Sequence, residues 1–343
     1  MKKKGNIFVL GCAIIYLLIS LIACPVDPII YTVIFDTDDV STVEYQSIQE
    51  NTQAARPSIN PTKNGYTFDN WYADNTFENE WDFNTPINND TRIYAKWIGD
   101  SYTVSFDSQG ATTVADPESK TVTLPATTID ELPTAPLKTG YTFDGWYTAE
   151  EGAGSEFTAS TVVTETITVY AKWNYMVGGP GQTGGYVFYD KGSYSDGWRY
   201  LEAATASNEW TNKVWGGYGT IVGGTATATA IGTGESNTEI IVSAFGYAEP
   251  YEGKSDYAAK LCADLVVSKD GVEYDDWFLP SKDELNLMYE NLKRNNLGGF
   301  SDLYYWSSSE YDALIACYQY FLNGYQIIDY RYSNNRVRPV RAF

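Results

Sequence analysis

The sequence predicts a multidomain chain: two small β-rich repeats followed by an α+β domain. Three observations predict it. Blocks of sequence in the first half recur at offsets of 71, 75 and 76 residues. Each block alternates apolar and polar residues and is rich in Thr, Val, Tyr and Trp, the pattern of a half-buried strand. The second half carries a helix-capping pattern and then returns to strand-like segments rich in Tyr, Ser and Val. With 343 residues, 43% apolar and 15% aromatic, the chain has length for two to three domains and enough apolar side chains to bury their cores. That excludes global disorder.

Composition removes several function classes. The net charge is −21, whereas duplex binding needs clustered basic charge against phosphate; nucleic acid is not an expected partner. Histidine is absent. Ser-His-Asp and Cys-His nucleophiles, imidazole metal sites and histidine bases go with it. The composition tilts towards binding rather than catalysis, with no cofactor and no metal expected. Cys12, Cys24, Cys262 and Cys317 lie far apart without C-x-x-C spacing, so neither a zinc site nor a dense disulfide framework is expected.

The N-terminus reads as an address. Lys2, Lys3 and Lys4 precede an uncharged, mostly apolar run over residues 7–23, the form of a secretory signal peptide, residues 1–23. A membrane-spanning helix is the alternative, at borderline length. Leu21-Ile22-Ala23-Cys24 resembles a bacterial lipobox, whose cysteine takes a diacylglycerol and becomes residue one after cleavage. The resemblance implies lipidation at Cys24, anchoring by several acyl chains, and a short tether over 24–29. No Asp follows the cysteine; Pro25 stands there, which favours the outer membrane and surface exposure. No later segment is apolar enough to span a bilayer.

The repeats come next, over 30–99 and 100–175. Tyr31-Thr32-Val33-Ile34-Phe35-Asp36 recurs as Tyr102-Thr103-Val104-Ser105-Phe106-Asp107. Gly65-Tyr66-Thr67-Phe68-Asp69-Asn70-Trp71-Tyr72 recurs as Gly140-Tyr141-Thr142-Phe143-Asp144-Gly145-Trp146-Tyr147. Ile93-Tyr94-Ala95-Lys96-Trp97 recurs as Val169-Tyr170-Ala171-Lys172-Trp173. Gly65 and Gly140 occupy turns that need a permissive residue. A module this small depends on large aromatic side chains for its core. These blocks resemble the Listeria–Bacteroides, or internalin-type B, repeat. The resemblance implies a compact β-grasp-like fold serving as a spacer on bacterial surface proteins, with adhesion through the repeats as the alternative.

The rest, 178–343, opens on a Gly-rich passage with G-x-G-x-x-G at Gly179, Gly181 and Gly184. A dinucleotide fingerprint must follow a strand and open a helix. Here the passage precedes strand-like Tyr186-Val187-Phe188-Tyr189, so it reads as a turn or linker. Residues 216–237 read as irregular loop packed on the core. Two helices are expected. One covers 255–267 with Ala258, Leu261, Cys262, Leu265 and Val266 on one face. The other starts at the capping box Ser281-Lys282-Asp283-Glu284, with Leu285, Met288 and Leu292 behind it, and ends by Asn295, Asn296 and Gly298.

The blocks "AAKLCADL", "DDWFLPSKDELNLMYENL", "YYWSSSE" and "RVRPVRAF" resemble the C-terminal domain of Legionella collagen-like proteins, related to the C-type-lectin-like and formylglycine-generating-enzyme folds. The resemblance makes Trp277, Leu279, Trp306 and Val337 framework. Residues 311–335 differ in character: six of the 25 are Tyr, with no Lys, Glu, Met or Trp. The segment resembles the variable region of proteins diversified by retroelements. There, randomised adenines in Asn codons cannot yield Gln, so Gln319 and Gln326 would be fixed positions and Gly324 a turn. Tyr supplies large amphipathic contact area with few rotatable bonds; a Tyr-rich sheet that merely packs its rings is the alternative. The expected ligand face is Tyr311, Asp312, Leu314, Ile315, Tyr318, Tyr320, Leu322, Tyr325, Ile327, Asp329, Tyr330, Tyr332 and Ser333, with some of these side chains expected to point into the core. The partner is an unidentified protein or glycan at the cell surface.

Other chemistry reads weakly. A formylglycine-generating type of enzyme needs paired redox cysteines, and only Cys262 and Cys317 remain in this domain; Cys262 reads as buried and inert, with a Cys262–Cys317 disulfide as a minor alternative in an oxidising compartment. Calcium-dependent sugar binding is in doubt, because Glu249-Pro250-Tyr251 carries Tyr where lectins carry an amide. Asp38-Asp39 and Asp275-Asp276 read as solvated turns. Arg331, Arg336, Arg338 and Arg341 are expected to pair with acids in the framework. One expectation is directly testable at this level: cells grown with labelled palmitate should label the chain, and Cys24→Ser should abolish the label.

Overall fold

The computed structural model describes residues 27–222, 228–245 and 256–343. The signal peptide, Cys24 and Glu249-Pro250-Tyr251 lie outside the described residues. The chain divides into two compact units, Met1–Asp100 with Thr123–Pro125, and Ser101–Val122 with Ala126–Phe343. No helix among the described residues is long and apolar enough to cross a membrane.

In the first unit the alternating blocks become strands. They are β1 (Ile30–Asp36), β2 (Gln46–Gln49), β3 (Thr52–Gln53), β4 (Tyr66–Tyr72), β5 (Pro86–Ile87) and β6 (Thr91–Gly99). The main sheet has the order β2-β1-β6-β4, with β1 parallel to β6 and β4 antiparallel to it. A parallel pair needs a long crossover, and residues 37–90 supply it. Trp71 is fully buried, with Phe35 and Phe68 edge-on to its ring at 5.0 and 5.3 Å. Lys96 lies 3.3 Å from the Asp69 carboxylate and over the Tyr72 ring, so the charged residues of the motif brace its rim.

The second repeat repeats these contacts. Its strands are β7 (Ser101–Asp107), β8 (Ser119–Thr123), β9 (Tyr141–Tyr147), β10 (Glu156–Phe157) and β11 (Ile167–Tyr175), in the order β10-β9-β11-β7-β8. Again the first and last long strands, β7 and β11, are parallel. Phe106 and Phe143 meet the Trp146 ring at 5.0 and 5.3 Å, and Lys172 pairs with Asp144 at 2.8 Å. The matching blocks are therefore core and brace. Gly65 and Gly140 both take positive φ, 74° and 81°, as their turns require.

The C-terminal domain follows within the second unit. Its elements are β12 (Tyr186–Ser195), β13 (Trp198–Ala203), β14 (Trp210–Lys213), α1 (Gly234–Phe245), α2 (Ala258–Ala263), β15 (Val267–Lys269), β16 (Val272–Tyr274), α3 (Lys282–Asn291), β17 (Tyr304–Glu310), β18 (Ile315–Tyr320), β19 (Gln326–Tyr330), β20 (Asn335–Val337) and β21 (Val340–Ala342). A five-stranded sheet β14-β20-β17-β18-β19 is the centre. Trp306 and Ala316 pack with Ile241, Phe245 and Cys262 from α1 and α2. Tyr305 and Phe321 pack with Leu285, Met288 and Leu292 along α3. Trp277, Leu279, Trp306 and Val337 are buried, as framework residues should be.

Two expectations need correction. Helix α1 was not expected, since Gly, Thr and Ala dominate the run that leads into it. Packing makes this helix: Ile241 and Phe245 reach the Trp215–Trp306 core, and at Gly234 a Cβ would strike Phe278 and the Glu284 carboxylate. The helix expected over 255–267 is shorter, because Asp264 ends α2 and the chain enters the β15–β16 hairpin. Asp270 and Gly271 turn that hairpin with φ of 53° and 82°, the Asp-Gly turn signature. Val266, expected on the apolar face, is exposed.

The capping box of α3 forms as the sequence indicates. Ser281 Oγ accepts from Glu284 N–H, and Glu284 accepts from Ser281 N–H at 2.7 Å. The Gly-rich passage is a turn rather than a phosphate cradle. Thr183 Oγ1 and Gly185 N–H donate to the buried Glu202 carboxylate at 2.6 and 2.8 Å, so the chain's own anion fills it. Within this unit Tyr175, at the end of β11, meets Tyr200 and Phe343 at 5.3 and 5.1 Å. Burial pushes the Tyr175 hydroxyl up to about 12.

Two predictions follow from this packing. Trp71→Ala or Trp146→Ala should cost about 3–5 kcal/mol each, the usual range for a buried aromatic, read from urea unfolding. Glu284 is buried and its carboxyl is raised by desolvation. Its neutral form is the one the fold favours, so its contribution is complete at low pH and declines as pH rises from the ordinary carboxylate range through the raised value. Glu284→Gln should remove that decline from the pH dependence of unfolding.

Candidate functional site

The candidate site is the β18–β19 hairpin with the loops at its two ends. The register is Ile315↔Tyr330, Ala316↔Asp329, Cys317↔Ile328, Tyr318↔Ile327 and Gln319↔Gln326. Strand alternation then sorts the side chains. Tyr318, Tyr320, Ile327 and Asp329 share one face with Tyr304 of β17. Ile315 and Tyr330 lie on the other face, with Cys317, Gln319, Gln326 and Ile328. Tyr311, Asp312 and Leu314 sit in the loop before β18, Leu322 and Tyr325 in the turn after it, and Tyr332 and Ser333 in the turn after β19.

None of the thirteen expected residues is fully buried, but Tyr318 is half-buried and packs on the core beside Trp306. Tyr325 is 68% exposed and Tyr311 63%. The buried members of the segment are Ala316, Cys317, Gln319, Phe321, Arg331 and Asn335. The thirteen do not form one flat face, however. They divide over two sides of the hairpin and over both of its ends.

Two tyrosine clusters result. Tyr304 meets Tyr320 at 4.4 Å and Tyr318 at 5.2 Å. Tyr330 and Tyr332 stack at 5.1 Å with planes 5° apart, and Tyr218 meets Tyr332 edge-on at 5.0 Å. Desolvation raises the Tyr318 hydroxyl, helped by the charge of Asp329. Desolvation also raises Tyr332, with Tyr218, Tyr330 and Asp329 as further causes. Sequence reasoning missed Tyr218, Tyr304 and Ile328. Tyr218 sits in the Gly-rich run 216–219, read as packed loop. Tyr304 is the exposed first residue of a framework strand whose other six residues are all buried.

The hairpin stands on buried polar contacts. Gln319 Nε2 donates to Asn286 Oδ1 at 2.8 Å and to Gly324 O at 3.0 Å, and Gln326 Nε2 donates to Lys282 O at 2.7 Å. Both glutamines thus fasten the hairpin to α3. Gly324 has φ 79°, and a Cβ there would strike the Tyr289 ring. Asp312 Oδ1 accepts from Leu314 and Ile315 N–H at 2.7 and 2.9 Å, fixing the loop before β18. Arg331 is fully buried. It pairs with Glu310, donates to Asp312 O and to Thr220 O, and lies over the Trp215 ring at 4.4 Å.

The other arginines are framework too. Arg336 and Arg338 pair with Glu209, and Arg341 forms a two-bond pair with Asp276 at 2.7 Å. Asp276 is exposed, as a solvated residue should be, and also serves as the partner of Arg341. Cys262 and Cys317 are free and buried, and burial pushes both thiols up, Cys262 far above its usual range. Neither is poised as a thiolate nucleophile. Among the described residues no group of three or more carboxylates and cysteines is placed to hold a metal ion.

Removing one partner of a buried ion pair costs about 3–5 kcal/mol. Arg331→Met should destabilise the C-terminal domain by that amount in urea, and adding Glu310→Gln should recover part of the loss.

Several proteins share sequence with this chain, and three of them show the likeness. A protein named as a Gly-rich membrane protein from Evansella cellulosilytica is 35% identical over 149 residues, 43% of this chain and 16% of that protein. A second membrane protein of the same organism is 34% identical over 146 residues, 42% of this chain and 21% of that protein. Internalin H of Listeria monocytogenes is 36% identical over 147 residues, 42% of this chain and 25% of that protein. The chain thus spans a quarter or less of each relative's length. The likeness is to proteins of the membrane and of the surface or adhesion type. The Listeria–Bacteroides repeat domain matches residues 31–96 and 102–172, so the chain carries two tandem copies of that repeat.

Proposed function

We propose that this is a non-catalytic, lipid-anchored surface protein that binds a ligand through the tyrosine-rich β18–β19 hairpin, with the repeats as its stalk. One observation carries the reading. The segment 311–333 presents large apolar and aromatic side chains to solvent, while the residues that hold it in place are buried. A display surface needs that division. The exposed positions vary without cost to the core, and a few aromatic anchors supply most of the binding energy.

The C-terminal domain is proposed as C-type-lectin-like, and the segment as diversified by a retroelement. Gln319, Gln326 and Gly324 support this, since the residues an Asn-codon scheme leaves fixed, and the expected turn, are those with structural duties. Anchoring through Cys24 at the outer membrane belongs to the same proposal. Several copies on one membrane add avidity without new contacts.

Deep sequencing of the 3′ end of the gene in a growing population tests the reading. Substitutions should cluster in codons 311–335, at positions where a nearby template copy carries adenine. A region as uniform as the rest of the gene, with no template copy, sinks the diversification. Tyr325→Ser and Tyr311→Ser should leave the unfolding midpoint within about 0.5 kcal/mol of the parent, as surface changes do, while abolishing attachment of displaying cells to their target. Cys262→Ser should leave attachment intact.

A further inference from the structure

A strand with a neighbour on one side only leaves N–H and C=O groups that another chain can pair with. In the central sheet β14-β20-β17-β18-β19, the outer strand on the hairpin side is β19. Its ladder shows which backbone groups are open. Tyr320 N–H donates to Tyr325 O at 2.9 Å, and Arg331 N–H to Leu314 O at 3.0 Å. In an antiparallel pair, bonded and non-bonded residue pairs alternate. With the register of the hairpin, Ile327 and Asp329 therefore turn their backbone to β18, and Gln326, Ile328 and Tyr330 turn theirs to the open edge. Tyr330 is closed: its N–H donates to Asp329 Oδ1 at 2.7 Å, and its C=O accepts from Ser333 N–H at 2.8 Å. The N–H and C=O of Gln326 and of Ile328 remain, and none of these four groups has a partner among the described residues.

Other edges of comparable length are guarded. β8 carries Lys120, paired with Asp130, and lies between Pro117 and Pro125. β4 and β12 are interrupted by register shifts. At β2 the Gln46 side-chain amide bonds both backbone groups of Ala55, at 2.7 and 2.8 Å. Charges, prolines and bulges of this kind keep edges from pairing. β19 has none of them. It is regular over its five residues, and from residue 295 to residue 330 the sequence has no Lys, Arg or Pro. Ile327 and Ile328, one on each face, are 42% and 40% exposed.

We infer that β19 is a docking edge, and that the ligand is an extended segment of a target protein that joins the sheet there as a sixth strand. This deepens the proposed function and rests on it. The alternation of donor and acceptor at Gln326 and Ile328 is matched by an extended backbone, whereas the hydroxyls of a sugar carry no such fixed alternation. Backbone bonds supply affinity that does not depend on the side chains of the hairpin. Tyr318 and Ile327 on one face and Ile328 on the other select the incoming residues, and β-branched or aromatic ones fit best. Changing those three positions would then change the choice of target without removing the means of docking. A second copy of this chain is the wrong strand. Each copy has a net charge of −21, and no Lys or Arg between 295 and 330 offsets Asp312 and Asp329 where two hairpins would meet.

The test immobilises the full chain in detergent and selects binders from a phage-displayed library of random heptapeptides. Enriched peptides are remade in two N-methylated forms, one methylated at odd residues and one at even residues, and compared by surface plasmon resonance. An added strand uses only alternate N–H groups, so one form should bind about tenfold more weakly than its parent and the other within about twofold. Ile328→Pro removes one outward N–H and keeps the bonds to β18, the position where an edge strand tolerates Pro. It should bind the parent peptides about tenfold more weakly than Ile328→Thr, which keeps the N–H. Equal sensitivity to the two methylation patterns overturns the inference, as does full affinity in Ile328→Pro. Peptide binding that ignores methylation but is lost in Tyr311→Ser and Tyr325→Ser overturns the strand and leaves the tyrosine face. Binding indifferent to both methylation and the tyrosines overturns the face as well. No enriched peptide, with yeast mannan bound by the parent and not by Tyr325→Ser, overturns the strand in favour of a glycan; with no mannan bound either, it overturns both. A dimer in sedimentation that Ile328→Pro dissolves gives the edge to a second copy and overturns the inference too.

Discussion

The C-terminal domain depends on arginines that are out of water and paired. Arg331, Arg338 and Arg341 are each at most 5% exposed, and the acids that hold them come from distant parts of the chain. Glu209 follows β13, Asp276 precedes α3, and Glu310 ends β17. A buried pair is weak evidence for stability on its own, because desolvation offsets most of the attraction. Its value here is position. An unpaired buried guanidinium is so unfavourable that β20 and β21 have one register, the one that brings every charge to its partner. Once those strands are placed, the hairpin between β17 and β20 has both its ends fixed, and most of its outer side chains are left to solvent.

The repeats solve a different problem with the same economy. A module of this size has a small core, and each copy concentrates it on one indole with two aromatic rings edge-on. The spacing recurs in both copies, 5.0 and 5.3 Å each time. Lys96 and Lys172 close the rim against Asp69 and Asp144. What the two copies share in sequence is therefore what they share in packing. What differs between them lies in the crossovers, where a parallel pair of strands asks only for length.

Much of this was legible beforehand, for reasons that can be named. Strand periodicity and repetition placed the six matching blocks, because alternate burial leaves its trace directly in the residues. The capping box of α3 was legible because its chemistry is local: one hydroxyl, one carboxylate and two backbone amides within four residues. Helix α1 was not, since its burial depends on Trp215 and Trp306, far away in sequence. The β15–β16 hairpin has its signal in Asp270-Gly271, but the apolar spacing of Leu261, Leu265 and Val266 continues the helical pattern past the end of α2 and masks it. In the candidate site, the identity of the exposed side chains was readable and their sorting onto two faces was not. That sorting is set by the β17–β18–β19 register and by Gln319 and Gln326 reaching α3. Tyr218 had no signal of its own: its role comes from the ring it meets across the fold.

The joint between the second repeat and the C-terminal domain transmits load. Tyr175 closes the second repeat and packs on Tyr200 and Phe343 of the C-terminal domain, while Arg199 donates to Asn174 across the same seam at 3.3 Å. Gly140 and Gly179 approach so closely that neither has room for a side chain. A force applied at the hairpin exerts a torque on the domain as well as a pull. With the seam closed by rings, the second repeat turns with the domain, and the force reaches it as rotation of one body. A load at the hairpin then acts through a longer lever than the domain alone supplies.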